Sequence, residues 1–256
     1  MRGHLEMIDW LWSIAFYTSV IFGLVGAYGV IRPLRRVHRG RRLHAAVMLL
    51  IGLAAAYAIS RSMPRAQSSS EHHGIDEFTP TFHFREHHET TIAAPPARVF
   101  EAIRTVTAGE IALFQTFTWI RRFGQPGPES IMNAPERQPI LDVATKGGFL
   151  LLHEAVPGEI VVGTIVVAPP GARRPDMFGA QEFKALRTPG FAVAAMNFRV
   201  EERGGASLLS TETRVFATDR AALQRFTPYW RVIFPGSAIL RVTWLRAIKS
   251  RAERDS

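Results

Sequence analysis

Two groupings of side chains in this sequence are of types that do chemistry. Five histidines crowd the stretch from His72 to His88 (His72, His73, His83, His87 and His88), and imidazole nitrogens are common ligands of transition metals. Their spacing argues against chelation. On a strand, His83 and His87 share a face but stand about 13 Å apart, at about 3.3 Å per residue, while His88 points the other way. The set reads as a polar strand beside a histidine-rich linker, and no metal or other cofactor is expected. The second grouping is ionic. Glu212 and Arg214 lie two apart on one strand face that also carries Leu208 and Phe216. A buried pair there would orient a polar head group or supply an acid for proton transfer, and the plainer reading is a satisfied structural ion pair. Glu86 and His88 make the same offer on the Ile92 face of an earlier strand, where they would form the polar end of a cavity.

Trp119, Phe198, Phe216, Tyr229 and Trp230 are the aromatics available to line an apolar pocket, or to serve as ordinary core. The sequence has no nucleophile elbow, phosphate loop or paired-carboxylate signature, so no catalytic residue is assigned. The absence of cysteine removes disulfides, thiolate metal sites and cysteine nucleophiles together.

The formal charge of +9 raises nucleic-acid binding as a function class. Its distribution lowers it again. Nine arginines against Glu6 and Asp9 give residues 1–65 a charge of +7, and the remaining 22 Lys and Arg against 20 Asp and Glu leave +2. The basicity is therefore local, and no basic stripe interleaved with aromatics occurs elsewhere. Nucleic acid is not an expected partner.

That local charge sits in the turn from Arg32 to Arg42, between two apolar runs. Trp10 to Ile31 is 22 residues without a formal charge, enough at about 1.5 Å per residue to cross a hydrocarbon core of about 30 Å. Trp10, Trp12 and Tyr28 stand near its ends, where amphipathic rings favour the interface. The second run, Ala45 to Ser60 or from Leu43 at its longest, is short. With Arg41-Arg42 before it and Ala56-Tyr57-Ala58 near its end it also has the layout of a signal peptide. The preceding full-length span favours a membrane hairpin, with helices over about 10–31 and 43–60 and a basic loop at 32–42. Ser19, Gly23, Gly26, Gly29, Gly52, Ala56 and Ser60 recur at helical spacing and would let the two helices approach closely. Six arginines in the short turn place it in the cytoplasm by the positive-inside rule. Residues 1–62 are thus expected to anchor the chain in a bacterial inner membrane, residues 63–81 to form a flexible linker, and residues 82–256 to form an extracytoplasmic domain.

Within that domain Phe84 to Ile92 alternates as a strand, and Pro96 opens an amphipathic helix carrying Val99, Phe100, Ile103 and Val106. Thr107 and Glu110 match a capping box that opens a second short helix through Phe114. Strands are expected over Gln115 to Arg122, Ile140 to Lys146, Phe149 to Ala155 and Glu159 to Val167, with turns at Gly147-Gly148 and Pro157-Gly158. A loop from Ala168 to Pro189 holds a helical piece over Met177 to Leu186. Phe191 to Glu202 and Ala206 to Thr218 form a hairpin about Gly204-Gly205. The chain closes in a helix from Asp219 to about Arg254, with kinks or breaks at Pro228 and Pro235-Gly236. Its basic end (Arg241, Arg246, Lys249, Arg251 and Arg254) suits the helix dipole or anionic lipid head groups.

This order, with Ile92-Ala-Ala-Pro-Pro-Ala-Arg-Val-Phe100, Thr211-Glu-Thr-Arg-Val215 and Tyr229-Trp-Arg-Val-Ile-Phe-Pro-Gly-Ser237 in their places, resembles the helix-grip fold of the START-like superfamily, also called the polyketide cyclase and lipid-transport (SRPBCC) superfamily. The resemblance covers about residues 82–254. It implies an α+β domain in which a curved antiparallel sheet of about seven strands wraps a long C-terminal helix and leaves an apolar cavity between them. It also implies a hydrophobic or lipid-like ligand, bound in a cavity to which Glu212, Arg214, Glu86, His88, Trp119, Phe198, Phe216 and Trp230 would contribute. A cyclase or dehydratase using Glu212 is the enzymatic alternative, and an interaction module without a small ligand the third. The superfamily shares no single catalytic set, so none is carried over.

Overall fold

The computed structural model describes residues 2–31, 39–122, 124–125, 130–172 and 178–254; most of the basic turn, residues 32–38, lies outside them. The helices are α1 (Arg2–Ile31), α2 (Arg39–Arg61), α3 (Gly74–Phe78), α4 (Pro96–Thr105), α5 (Phe114–Arg121), α6 (Ile140–Lys146), α7 (Ala180–Ala185) and α8 (Arg220–Arg254). The strands are β1 (Gln67–Ser68), β2 (Thr81–Phe82), β3 (Phe84–Ile92), β4 (Leu150–Ala155), β5 (Glu159–Val167), β6 (Ala192–Arg203) and β7 (Ala206–Ala217). The chain forms two compact units. One is Met1–Met63 with Gln224–Pro235, and the other is Pro64–Leu223 with Gly236–Ser256.

In the first unit α1 and α2 run beyond the apolar runs that specify them, and Met7–Ile31 and Arg42–Arg61 are long and apolar enough to cross a membrane. Only 11% of each span is buried. Leu11, Ile14, Ile21, Leu24, Leu50, Ile51 and Leu53 all face outward, the reverse of a soluble core helix. The glycines mark the seam. A Cβ added to Gly26 would lie 2.5 Å from Leu49 N, one on Gly52 would lie 2.5 Å from Gly23 N, and one on Gly29 would meet Ala45 Cβ at 2.9 Å.

Residues 224–235 of α8 also belong to this unit, which the sequence had assigned wholly to the second domain. The Arg231 guanidinium pairs with Asp9 at 2.8 Å and lies over the Trp12 ring. Phe234 packs edge-on against Trp10, and the Tyr17 hydroxyl donates to Val232 O at 2.7 Å. Pro228 and Pro235 both lie inside a continuous helix. The break expected at Pro235-Gly236 is instead where α8 passes from one unit to the other.

The second unit is α+β. Its main sheet has five antiparallel strands in the order β3-β7-β6-β5-β4, and β1 and β2 form a separate pair. Seven strands in one sheet were expected. Two of the expected strands are helices. Ile140 to Lys146 buries Ile140, Leu141, Val143 and Ala144 at helical spacing, with Pro139 before and Gly147 after it. In Gln115 to Arg122 the Thr118 hydroxyl donates to Phe114 O at 2.9 Å, and Phe114 and Thr118 share the buried side of α5. β-Branched and aromatic residues favour strands only weakly, and packing overrides them here. Gly147-Gly148 accordingly links helix to strand, whereas Gly204 and Gly205, both at positive φ, close the β6–β7 hairpin. The expected helical piece survives as α7, its Met177 end lying outside the described residues.

The stretch expected as a flexible linker is folded. Ile75 and Phe78 are buried with Leu152, Val161, Phe183, Val193 and Ala195 against one face of the sheet. The other face is covered by α4, α6 and the C-terminal part of α8, through Ile92, Val99, Ile103, Ile160, Val162, Phe198, Trp244, Leu245 and Ile248 among others.

The Thr107–Glu110 capping box forms as expected but opens a 3-10 turn, after which Leu113 adopts a left-handed backbone and α5 begins. Glu110 accepts bonds from Thr107 N, Arg251 Nη2 and Arg254 Nη2 at 2.9, 2.7 and 3.0 Å. Lys249 pairs with Glu253 and donates to Thr91 O. The basic end of α8 is thus partly neutralised from within. Burial alone would raise the Glu110 pKa, but the Arg251, Thr107 and Arg254 bonds outweigh it and hold the group at about 2. A depressed folded-state pKa adds stability above the ordinary value of 4.5 that is lost as pH falls toward 2. The thermal midpoint of Glu110→Gln should therefore change less across that window than the wild type's.

Candidate functional site

Strand parity sorts the candidate residues onto two faces. Glu86 pairs across from Thr213 and His88 from Thr211, while Thr213 and Thr211 pair in turn with Met196 and Phe198 of β6. These residues share the face that receives α8, because Met196, Phe198 and Trp244 belong to one core cluster. Ser237, Arg241 and Trp244 follow at helical spacing on α8.

At this polar end Glu86 is 1% exposed. One of its carboxyl oxygens lies 3.1 Å from His88 Nε2, and the other accepts from the Ser237 hydroxyl at 2.8 Å. Arg241 is its electrostatic partner. Burial lowers the Arg241 pKa and Glu86 opposes that fall; arginine stays cationic throughout. The Arg241 guanidinium contacts Met196 Sδ and lies 5.5 Å from the Trp244 ring centre. Beside Glu86 the Thr213 hydroxyl is buried without a hydrogen-bond partner, a state that costs about 1–3 kcal/mol in a protein interior. Ser237 donates to Glu86 and not to His88, so the trio lacks the serine-to-imidazole bond of a nucleophilic relay. What remains is a strip of a carboxyl, an imidazole, a guanidinium and two hydroxyls set into an apolar interface. Such a strip can bind a polar head group.

Glu212 and Arg214 lie on the opposite face of the sheet. Arg85 grips Glu212 with two bonds, of 2.7 and 2.8 Å, and Arg214 Nε adds a third at 2.5 Å. Arg214 also reaches Asp76 at 2.5 Å, Thr79 O at 3.1 Å and Ser69 Oγ at 3.3 Å, with its guanidinium over Phe82. Asn197 extends the network, accepting from Glu212 N and donating to Glu159, whose other oxygen accepts from Gly74 N. Burial alone would raise the Glu212 pKa, but Arg85 and Arg214 hold it below its ordinary value. Asp76 is held low in the same way, with Ser69 and Arg214 outweighing burial. This is a structural clamp that fastens residues 69–82 to the sheet.

The sequence-derived set therefore splits. Glu86, His88 and Phe198 converge beneath α8, where Phe198 packs 5.0 Å from Trp244. Glu212, Arg214 and Phe216 lie on the far face, where Phe216 stacks on His83. Trp119 points outward from α5. Trp230 belongs to the other unit, between Phe226 and Phe234. Thr213, Ser237 and Arg241 were missed. Arg241 was read with the basic helix end, although its i, i+4 spacing from Ser237 was the available signal. Neither the protein-family models nor the curated proteins compared with this chain give a match.

Proposed function

We propose that this protein is a membrane-anchored binding protein for a lipid-like molecule with a polar head, built on a helix-grip, START-like domain. The carrying observation is the Glu86, His88, Ser237, Arg241 and Thr213 strip between sheet and terminal helix, with a buried hydroxyl still unpaired. A five-stranded antiparallel sheet with a long C-terminal helix on one face supports the fold reading. Two helices able to cross a membrane support the anchor. The six arginines between Arg32 and Arg42 support a cytoplasmic position for that segment by the positive-inside rule, and with it an extracytoplasmic sheet unit. Tethering concentrates the binding strip at the bilayer, which suits a ligand that partitions into lipid. The enzymatic alternative on Glu212 is not carried forward, because two arginines hold that carboxylate ionised and leave it no proton to donate.

The test is native mass spectrometry of the gently extracted full chain. A bound lipid-sized mass is expected, and Arg241→Met should lower its occupancy about tenfold, since a hydrogen bond from a charged group to the ligand's polar head contributes about 1.5–3 kcal/mol. Repeated absence of any bound mass in the wild type overturns the reading. That outcome would favour an interaction module without a small ligand, for which the filled interface around Phe198, Trp244 and Ile248 speaks.

A further inference from the structure

The polar strip is short of acceptors. Glu86, Thr213 and Met196 are successive cross-strand partners, each about 5 Å from the next. Ser237 bonds to Glu86 at one end of this row and Arg241 contacts Met196 Sδ at the other, so the Thr213 hydroxyl lies between the two. It has no hydrogen-bond partner. Trp244 is 4% exposed, its Nε1 is equally unpartnered, and its ring centre lies 5.5 Å from the Arg241 guanidinium. Among the described residues that guanidinium donates to a thioether sulfur alone, a weak acceptor. One Glu86 oxygen faces His88 Nε2 and the other receives the Ser237 hydroxyl. An indole N–H and a guanidinium only donate, so what the strip needs from a ligand is an acceptor.

Charge narrows the class. Glu86 stands within electrostatic reach of Arg241, so the cation is balanced from within, and a second carboxylate would face Glu86 across a desolvated interface. An alcohol or amine head brings its own O–H or N–H, which requires an acceptor that the strip lacks. A carbonyl oxygen with no proton beside it satisfies the donors and adds no charge.

Space for an attached chain begins one strand away. Val162 pairs across from Met196 and, with Leu141, Leu151 and Ile160, forms the apolar floor of a cavity of about 80 Å³ whose polar lining comes from α4 and α6. Ile160, Val162, Met196 and Trp244 belong to one core cluster, so cavity and strip lie on the same face of the sheet. Arg104, the cation of that lining, is paired with Glu154, which leaves recognition of the head group to the strip. Along the row Met196 stands between the two, and its side chain is unbranched and adaptable. A carbonyl that replaces its sulfur as the Arg241 acceptor also frees it to turn aside.

We propose that the strip selects a neutral long-chain ester. The carbonyl oxygen accepts from Arg241 and Trp244 Nε1, with the Thr213 hydroxyl as a further donor, and the chain passes Met196 toward the cavity. The proposal rests on the lipid-binding reading above and specifies the head group that this site takes.

Native mass spectrometry of the full chain, released from detergent, compares methyl palmitate, hexadecanol and ionised palmitate, which share one chain length. Methyl palmitate is expected to bind about tenfold more tightly than either of the others. Trp244→Phe keeps a ring and removes the N–H, and Thr213→Val keeps the shape and removes the hydroxyl. Each should weaken methyl palmitate about fivefold. Neither should lower the thermal midpoint of the unliganded protein, because each removes a buried group that has no partner there. A photoreactive diazirine midway along the ester's chain should label β4, β5 or α6. Hexadecanol or palmitate binding as tightly as methyl palmitate overturns the ester assignment, and so does methyl palmitate binding that is indifferent to both variants. Labelling confined to other elements overturns the path of the chain. If none of the three binds while other lipid masses accompany the purified protein, the ester assignment falls alone. If no lipid is bound under any condition, the reading beneath it falls as well.

Discussion

Replacing Arg214 with alanine is expected to destabilise the sheet unit by about 3–5 kcal/mol, because it strips one partner from a buried ionic network and leaves the others desolvated. Arg214 is 1% exposed and bonds to Glu212, Asp76, Thr79 O and Ser69. A loss of that size consumes much of the 5–15 kcal/mol that holds a typical domain folded. The damage should be local first. Hydrogen exchange of the full chain should show residues 67–82 and the β3–β7 pair losing protection before the β5–β6 pair, since this guanidinium supplies the bonds from Asp76, Thr79 and Ser69 to the sheet. The double variant Arg214→Met with Glu212→Gln should recover part of the loss, because it removes the stranded charge together with its partner. Uniform loss of protection across the sheet, or no recovery in the double variant, would show that Arg214 matters for its bulk and not as the ionic hub.

Gly52→Leu should pry the apolar hairpin apart. Even a methyl at this position would sit 2.5 Å from Gly23 N, 2.7 Å from Gly23 Cα and 2.8 Å from Ser19 O. Those are backbone atoms of a neighbouring helix and cannot rotate away. Overpacking usually costs about 1–3 kcal/mol, and a clash with backbone belongs at the upper end of that range. Close backbone approach is also a main source of helix association in lipid, where apolar side chains gain little from leaving the bilayer. Gly29 and Ala45 supply the readout, because a Cβ on Gly29 would lie 2.9 Å from Ala45 Cβ. The pair Gly29→Cys with Ala45→Cys needs the helices to part by only about 1 Å to reach the roughly 3.8 Å Cβ separation of a disulfide, and should close one on mild oxidation, seen as a mobility shift. Adding Gly52→Leu should suppress it. Efficient crosslinking in the triple variant would falsify the glycine seam.

Legibility in the sequence followed how local the governing physics is. The two long apolar helices and their glycine seam were legible, because a run of apolar residues without charge has few stable environments and small residues at helical spacing have few uses. The Thr107–Glu110 box, the Gly204-Gly205 hairpin and the long terminal helix were legible from short-range signals. Gln115–Arg122 and Ile140–Lys146 were not. Their Thr, Ile, Val, Phe and Trp content suits a strand, and only burial against neighbouring elements makes helices of them. Residues 63–81 looked like a linker from their serines and histidines, yet Ile75, Phe78 and Asp76 tie them into the sheet through partners more than seventy residues away.

By itself the sequence determined that two helices can cross a membrane, that an antiparallel α+β unit follows with one long closing helix, and that Glu86 shares a face with His88 while Glu212 shares one with Arg214. Those are consequences of hydrophobic run length and of the two-residue period of a strand. Only the tertiary structure decided which face lies under α8. That choice turns Glu86 and His88 into the candidate site, with Thr213, Ser237 and Arg241 beside them, and Glu212 and Arg214 into a clamp. It also decided that α8 divides at Pro235-Gly236 between two units. Strand parity specifies which side chains travel together but not which side the helix covers, because the covering is settled by contacts between residues more than a hundred positions apart, such as Glu86 with Ser237.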